Sequence, residues 1–389
     1  MNRVCKFRLY PSKAQEELLL QHLWAAKNLW NNVLKITKQL YENFDKFPTG
    51  RTLAQLSKDS GLYSQVAQQV SIRLTLALKA VSCRKKSGEK TGFPRFKNID
   101  RMKSLCYPQS GFKLVEKKLR VTPFGEINIR LHRPIEGKIK TLSLKRKSSG
   151  RWFAVITVEL PDVEYKSNGK PSVGIDVGLK SFATLSDGSK IKNPRNFELA
   201  QERLAAAQKQ LSKKARDGKN RWKSKRRVAR IHEKIVNKRD DYLHKLSHKF
   251  VGEYGLIALE KLDINRLKEN KFGKQINDAS WGKLSNMISY KAADAGCQVV
   301  LVEPKGTTKQ CSNCGHEKRM PLTERIYGCD ACGLVEDRDV NAAKNILAKA
   351  TAGIAGSNAR GVGSIIPTVK QEALTERRCN SQRLQASTV

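Results

Sequence analysis

The chain has no apolar run longer than a few residues, Val299 to Val302 being typical. No segment is therefore expected to cross a bilayer as a helix or to form the apolar core of a signal peptide, and the expectation is a soluble, cytoplasmic protein that needs no membrane partner. Acid is scarce: 36 Asp and Glu face 75 Lys and Arg, a formal net charge of +39 with a pI near 10.0. Aromatic residues make up only 7% of the chain. Six histidines form no ligand pattern, and five of the nine cysteines (Cys5, Cys83, Cys106, Cys297 and Cys379) have no partner spacing, which reads as ordinary packing or exposed thiols rather than a disulfide framework. There is no internal repeat, and no Tyr or Ser stands where a strand-transfer nucleophile would be expected. Nothing in the sequence fixes an oligomeric state.

What is present points to a polyanion. An excess of positive charge this large, spread over 389 residues, repels itself unless phosphates neutralise it, so nucleic acid is the expected partner. At 39% hydrophobic content the chain can build cores for two or three domains. Between Lys209 and Lys249, sixteen Lys and Arg stand against four Asp and Glu. Within that stretch Lys223, Lys225, Arg226, Arg227 and Arg230 are expected to touch phosphates, as is Arg95 in an earlier segment. Phe93 and Phe96 are open between core packing and contact with nucleic acid, and Trp222 is a further candidate for such contact.

The remaining four cysteines are arranged as two Cys-x-x-Cys pairs, Cys311 with Cys314 and Cys329 with Cys332. Two knuckles joined by a short hairpin bring four thiolates to one tetrahedral ion, so a structural zinc is expected, with a pair of disulfides as the alternative. His316 is then redundant as a ligand.

Three carboxylates occupy distinctive places. Asp176 interrupts the apolar strand Val173 to Gly178, Glu260 ends the apolar strand Leu256 to Leu259, and Asp339 opens the last helix, Val340 to Ala350. If the first and fourth strands of a mixed sheet are neighbours, the three converge. Buried carboxylates need cations, and hard Mg2+ or Mn2+ suits them, with phosphodiester hydrolysis as the chemistry and Asp176 as the bridging ligand. Taken singly, Asp339 also reads as a helix N-cap and Glu260 as an ordinary strand end.

Other segments fall into a coarse order. A strand from Arg3 ends at Pro11, and a helix from Ala14 to Tyr41 is capped by Ser12. A second helix covers Val66 to Ala80, followed by a polar run, Arg84 to Lys90. Short alternating strands follow at Lys118 to Thr122, Glu126 to Leu131, Ile139 to Lys145 and Trp152 to Val158, as in a small barrel or sandwich that the first strand could join. A hairpin partner at Lys180 to Ser186, one long basic helical region from Phe197 to Tyr254, a helix from Ser280 to Ala295 and a buried strand from Gln298 to Val302 complete the pattern.

These residues resemble the TnpB proteins of insertion sequences, relatives of type V CRISPR effector nucleases. Gly174-Ile175-Asp176-Val177-Gly178 is similar to their first RuvC motif, Ile257-Ala258-Leu259-Glu260 to the second, and Asp337 to Ile346 to the third. Thr308 to Gly315 resembles the entry to their zinc ribbon, and Gly92 to Lys97 their motif near the start of the barrel. Lys261 stands where the second motif usually continues with an acid.

The resemblance implies a multi-domain α/β protein. A wedge β-barrel (1–11 and 92–170) would hold a helical recognition insertion (12–91). Gly, Ser, Thr and isolated charges over 351–389 read separately as a disordered tail, whereas the resemblance gives an RNase H-like RuvC nuclease (171–305 and 335–350) that would hold a zinc ribbon (306–334). It implies RNA-guided cleavage of double-stranded DNA beside a short duplex motif, with a guide RNA from the element end, structural zinc, and Mg2+ or Mn2+ at Asp176, Glu260 and Asp339. It further implies a prokaryotic, nucleoid-associated setting. It favours Asp339 over Asp337 as the ligand, with Asp337 supporting the turn or Arg338. A nuclease-inactive RNA-guided repressor would share fold and charge but is a poorer match to an intact acidic trio. For a zinc-ribbon RNA-binding structural protein the trio would be accidental.

Overall fold

The computed structural model of the chain describes residues 2–58, 60–161, 167–215, 218–269, 272–321 and 324–358. The chain divides after residue 162 into two compact units.

The first unit opens with strand β1 (Asn2–Tyr10), stopped by Pro11, which has no N–H to donate. Helix α1 (Lys13–Phe44) starts with a reciprocal cap: the Gln15 N–H donates to Ser12 Oγ, and Ser12 N–H to Gln15 Oε1. The Gln15 amide also donates to the carbonyls of Phe124 and Glu126, tying the helix start to a strand over a hundred residues away. Leu19, Leu23, Ala26, Trp30, Val33 and Leu34 form its buried stripe at helical spacing. The six-residue α2 (Gly50–Gln55) carries no sequence signal of its own. Helix α3 (Ser64–Lys86) runs further than the apolar pattern suggested, because Arg84, Lys85 and Lys86 form its last turn, where the helix dipole favours cations.

Strands β2 (Ser104–Tyr107), β3 (Phe112–Val115), β4 (Lys118–Val121), β5 (Gly125–Arg130), β6 (Lys138–Arg146) and β7 (Trp152–Glu159) join β1 in one antiparallel sheet. Its order is β2-β6-β7-β1-β5-β4-β3, so the first strand of the chain lies at the centre. Alternate residues point inward: Phe7 and Leu9 on β1, Ile127 and Ile129 on β5, Trp152, Ala154, Ile156 and Val158 on β7. They form one core with the buried stripes of α1 and α3. Among the described residues no ladder joins β2 to β3, so the curled sheet stays open there. Residues 108–111 link those edges, and the Tyr107 hydroxyl donates to the Thr122 carbonyl at 2.8 Å.

The second unit is built on the strands β8 (Ser172–Val177), β9 (Ser181–Leu185) and β10 (Lys190–Lys192), a meander. The expected single basic helix is two, α4 (Glu198–Ser212) and α5 (Lys219–Glu253), because the extended backbone of Gly218 interrupts it. Then come β11 (Leu256–Glu260), the short α6 (Ile264–Lys268) and α7 (Gly273–Ala279), α8 (Trp281–Ala295) and β12 (Gln298–Val302). A small hairpin, β13 (Ile326–Gly328) and β14 (Val335–Asp337), leads into α9 (Arg338–Asn358). Residues 351–358, expected to be disordered, continue α9, and the Thr351 hydroxyl donates back to the carbonyls of Leu347 and Ala348. The rest of the expected tail, 359–389, lies outside the described residues.

The main sheet has the order β10-β9-β8-β11-β12, antiparallel from β10 to β8 and parallel from β8 through β12. A meander followed by two parallel crossovers is the RNase H-like arrangement, and its first and fourth strands, β8 and β11, are neighbours. Val173 and Ile175 face a core shared with α5 and α8. Ala258 and Val302 face the opposite way, onto Ile346 and Ala350 of α9. β12 is the sheet edge rather than a fully buried strand, and Leu301 is 48% exposed.

Candidate metal centres

The first centre follows from strand alternation and one close approach. Gly174 and Asp176 point to the same face of β8. A Cβ on Gly174 would lie 2.0 Å from the carbonyl oxygen of Ala343 and 2.9 Å from the Leu347 nitrogen, so only glycine lets α9 lie against the strand here. Two residues of strand advance about 6.6 Å and one helical turn about 5.4 Å. Stepping from Gly174 to Asp176, and back one turn from Ala343, therefore brings Asp176 to Asp339 at the N-terminal turn of α9. Leu259 pairs with Ile175 in the parallel ladder, so Glu260 stands beside Asp176, on the face that Ala258 shows to α9.

Electrostatics report the same proximity. Burial, followed by the charges of Glu260 and Asp339, pushes the Asp176 carboxyl up to about 8, against a smaller pull from Arg338. Burial also raises Glu260, opposed by a 2.6 Å hydrogen bond from the Thr307 hydroxyl and by the charge of Lys349. The donors are all oxygens and the surroundings partly apolar, a set that suits a hard divalent cation.

Asp337 and Asp339 separate by what they bind. Asp337 accepts the N–H groups of Asp339 and Val340 on Oδ1, capping α9, and pairs with Lys190 at 2.6 Å on Oδ2. Burial would raise its pKa, but Lys190 and those N–H groups outweigh that and hold it low. Its partner is thus the turn and Lys190 rather than Arg338. Asp339 makes a charged contact with Arg338 at 3.4 Å. The buried Arg338 guanidinium also donates to the carbonyls of Pro321 and Glu324, fastening the cysteine hairpin to the start of α9.

The second centre is the cysteine quartet. Cys311, Cys314, Cys329 and Cys332 offer sulfurs all within 4.8 Å of one another, the one such cluster among the described residues; the three carboxylates are less tightly gathered. The knuckles repeat each other. Gly315 N–H bonds to Cys311 O and Gly333 N–H to Cys329 O, both at 3.0 Å, and both glycines have φ above +70°. The Cys311 N–H then bonds to His316 O, and the Cys329 N–H to Leu334 O. Sulfurs 3.6 and 3.7 Å apart across the knuckles match the roughly 3.8 Å edge of a tetrahedron of 2.3 Å zinc–sulfur bonds. His316 serves through its backbone, and its carbonyl also accepts from the buried Tyr327 hydroxyl.

Of the basic candidates on α5, Lys223, Lys225, Arg227 and Arg230 are exposed, whereas Arg226 is half-buried with its guanidinium 5.0 Å from the Trp222 ring centroid. In the first unit, Arg95 is exposed and its carbonyl accepts from the Trp30 indole. Phe93 packs against Tyr41 and Phe47, while Phe96 is 48% exposed beneath Lys38. Lys97, beside it, lies 3.3 Å from the Trp30 ring centroid and is pushed down to about 8 by burial and then by Arg73.

Sequence reasoning missed Thr307, Arg338, Asn341 and Asn345 as members of the first centre. The legible signal was two amides one helical turn apart on the buried side of α9, where an unpartnered amide is costly.

Three family models match the chain: "Probable transposase" over residues 155–271, "Cas12f1-like, TNB domain" over 281–346, and "Helix-turn-helix domain" over 1–46. Within the last span the described residues form β1 and the single long helix α1. The chain is 33% identical over 369 residues to a Streptomyces pristinaespiralis protein named "Putative RNA-guided DNA endonuclease", covering 92% of this chain and 90% of that one. It is 30% identical over 377 residues to the Escherichia coli K12 protein of that name designated InsQ, covering 88% and 91%. It is also 24% identical over 212 residues to a CRISPR-associated endodeoxyribonuclease, Cas12f1, of Sulfoacidibacillus thermotolerans, covering half of each.

Proposed function

Because the chain belongs to the TnpB-type family of RNA-guided DNA endonucleases, we propose that it cleaves double-stranded DNA chosen by a bound guide RNA. The cut is a divalent-cation-dependent hydrolysis at Asp176, Glu260 and Asp339. The observation that carries this reading is the close approach of α9 to β8 at Gly174, which sets Asp176 against Asp339 with Glu260 on the adjoining strand.

Mg2+ or Mn2+ held by these carboxylates would activate the attacking water and offset charge on the scissile phosphate and the leaving 3′ oxygen. The chain's own groups prepare for that. Burial and two neighbouring acids push Asp176 up to about 8, so near neutrality a bound cation would take the place of its proton. Burial raises Glu260, and the Thr307 hydroxyl and Lys349 work against that by favouring its ionised form. The Asp337 cap leaves Asp339 free to face the strand.

Zinc in the cysteine quartet has a structural role, since four thiolates leave no open position for substrate. Base pairing with the guide reads the target sequence, so the protein needs mainly phosphate contacts. The exposed Lys223, Lys225, Arg227 and Arg230 of α5 supply them, with Arg95 in the first unit. No helix among the described residues is long and apolar enough to cross a membrane, and a DNA substrate places the work at the nucleoid. The test is Mg2+-dependent cutting of a matching plasmid by the protein with its transcript, against Asp176→Ala prepared in the same way. Equal cutting by both would defeat the assignment of the site.

A further inference from the structure

The loop from β12 into the cysteine hairpin grips Glu260. Thr307 is buried, and its hydroxyl donates to Glu260 Oε1 at 2.6 Å, with the Pro304 carbonyl at 3.2 Å as the competing acceptor. One hydroxyl has one proton, and the shorter bond to a carboxylate is the stronger. Thr307 is itself fixed from α9, because the Asn345 amide donates to the carbonyls of Thr307 at 2.9 Å and Gln310 at 2.6 Å. One turn earlier, Asn341 donates to the Gln310 carbonyl and accepts the Ser312 N–H inside the first knuckle, both at 2.8 Å. One turn later, Lys349 donates to the Lys305 carbonyl. The helix that presents Asp339 thus also carries a stripe, Asn341, Asn345 and Lys349, that anchors the loop holding Glu260.

We propose that Thr307 is a positioning residue for Glu260, occupying Oε1 so that Oε2 is the atom offered to the cation, and that it sets the affinity of the carboxylate site for its divalent ion rather than the rate once that ion is bound. The proposal rests on the reading of Glu260 as a cation ligand.

The experiment uses the full chain bound to its RNA, with Mn2+ binding followed by electron paramagnetic resonance. The Asp176→Ala complex gives the baseline for Mn2+ held by RNA. Losing a hydrogen bond to a charged group should weaken Mn2+ binding by about tenfold in Thr307→Val. Cleavage at saturating Mg2+ should return to within about twofold of the parent, and Thr307→Ser should restore binding. Thr307→Ala, which puts no methyl against Glu260, guards against a folding defect, and zinc content should not change. In a Glu260→Gln background, Thr307→Val should add nothing.

Unchanged Mn2+ binding in both Thr307→Val and Thr307→Ala would overturn the proposal. So would a cleavage defect that Mg2+ does not rescue, or an equal effect of Thr307→Val in the Gln background. If Glu260→Gln itself binds Mn2+ as the parent does, the cation-site reading has failed and this inference falls with it.

Discussion

Gly174 meets Ala343 so closely that an added Cβ would come within 2.0 Å of the Ala343 carbonyl oxygen, a backbone atom that cannot swing aside. Gly174→Ala should therefore push α9 off the sheet. Overpacking a filled core costs about 1–3 kcal/mol, so the melting temperature should fall by several degrees and cleavage should be lost with it. Gly252→Ala, with nothing within 4 Å of the new Cβ and a helical setting, should leave both unchanged or slightly raise stability.

Asp337 and Asp339 should behave differently despite lying two residues apart. If Asp339 is the cation ligand proposed above, Asp339→Asn should abolish cutting while guide-RNA binding persists. Asp337→Asn weakens a helix cap and a half-exposed ion pair with Lys190, a loss of about 1 kcal/mol in stability that leaves cutting measurable. Cleavage assays and melting curves on both variants decide it, and the reverse pattern would exchange their roles.

Zinc loss should reach the carboxylates. Cys311→Ser or Cys332→Ser removes one of four ligands, so elemental analysis should show less than one zinc per chain. The first knuckle and its entry loop are bonded to α9 through Asn341 and Asn345. Cleavage should then fall along with zinc content; full zinc in either variant would count against the quartet.

Burial of Asp176 has a pH signature. Its folded pKa of about 8 lies above the ordinary 3.8, so the unfolded chain releases this proton first as pH rises. Without divalent ions, the contribution of Asp176 to stability is complete below about pH 4 and is lost progressively up to about pH 8. Mg2+ should oppose that loss, and its apparent affinity should weaken as pH falls below about 8, because protons compete for the same carboxylate. Melting curves across that window with and without Mg2+ would check it; a metal effect independent of pH would contradict the assignment of Asp176.

Much of this was legible because chemistry forced unusual residues into ordinary patterns. An acid in the apolar strand around Asp176, and two matched Cys-x-x-Cys pairs, have few structural excuses, and the long stripe of α1 announces itself by period. The four-residue strands β2 and β3 and the helices α2, α6 and α7 are too short for periodicity to speak. The break at Gly218 was hidden by continuous basic composition. Thr307 gave no local sign at all, since its partner Glu260 is 47 residues away and only the parallel register and the anchoring of the loop by α9 bring them together.

The most direct measurement compares purified protein with and without transcript from the flank of its own gene, on plasmids that carry or lack the matching target, in Mg2+. The account predicts linearisation only when RNA, matching target and Mg2+ are all present, and none with Asp176→Ala. Cutting of both plasmids at equal rates without RNA would contradict it and mark the protein as an unguided nuclease.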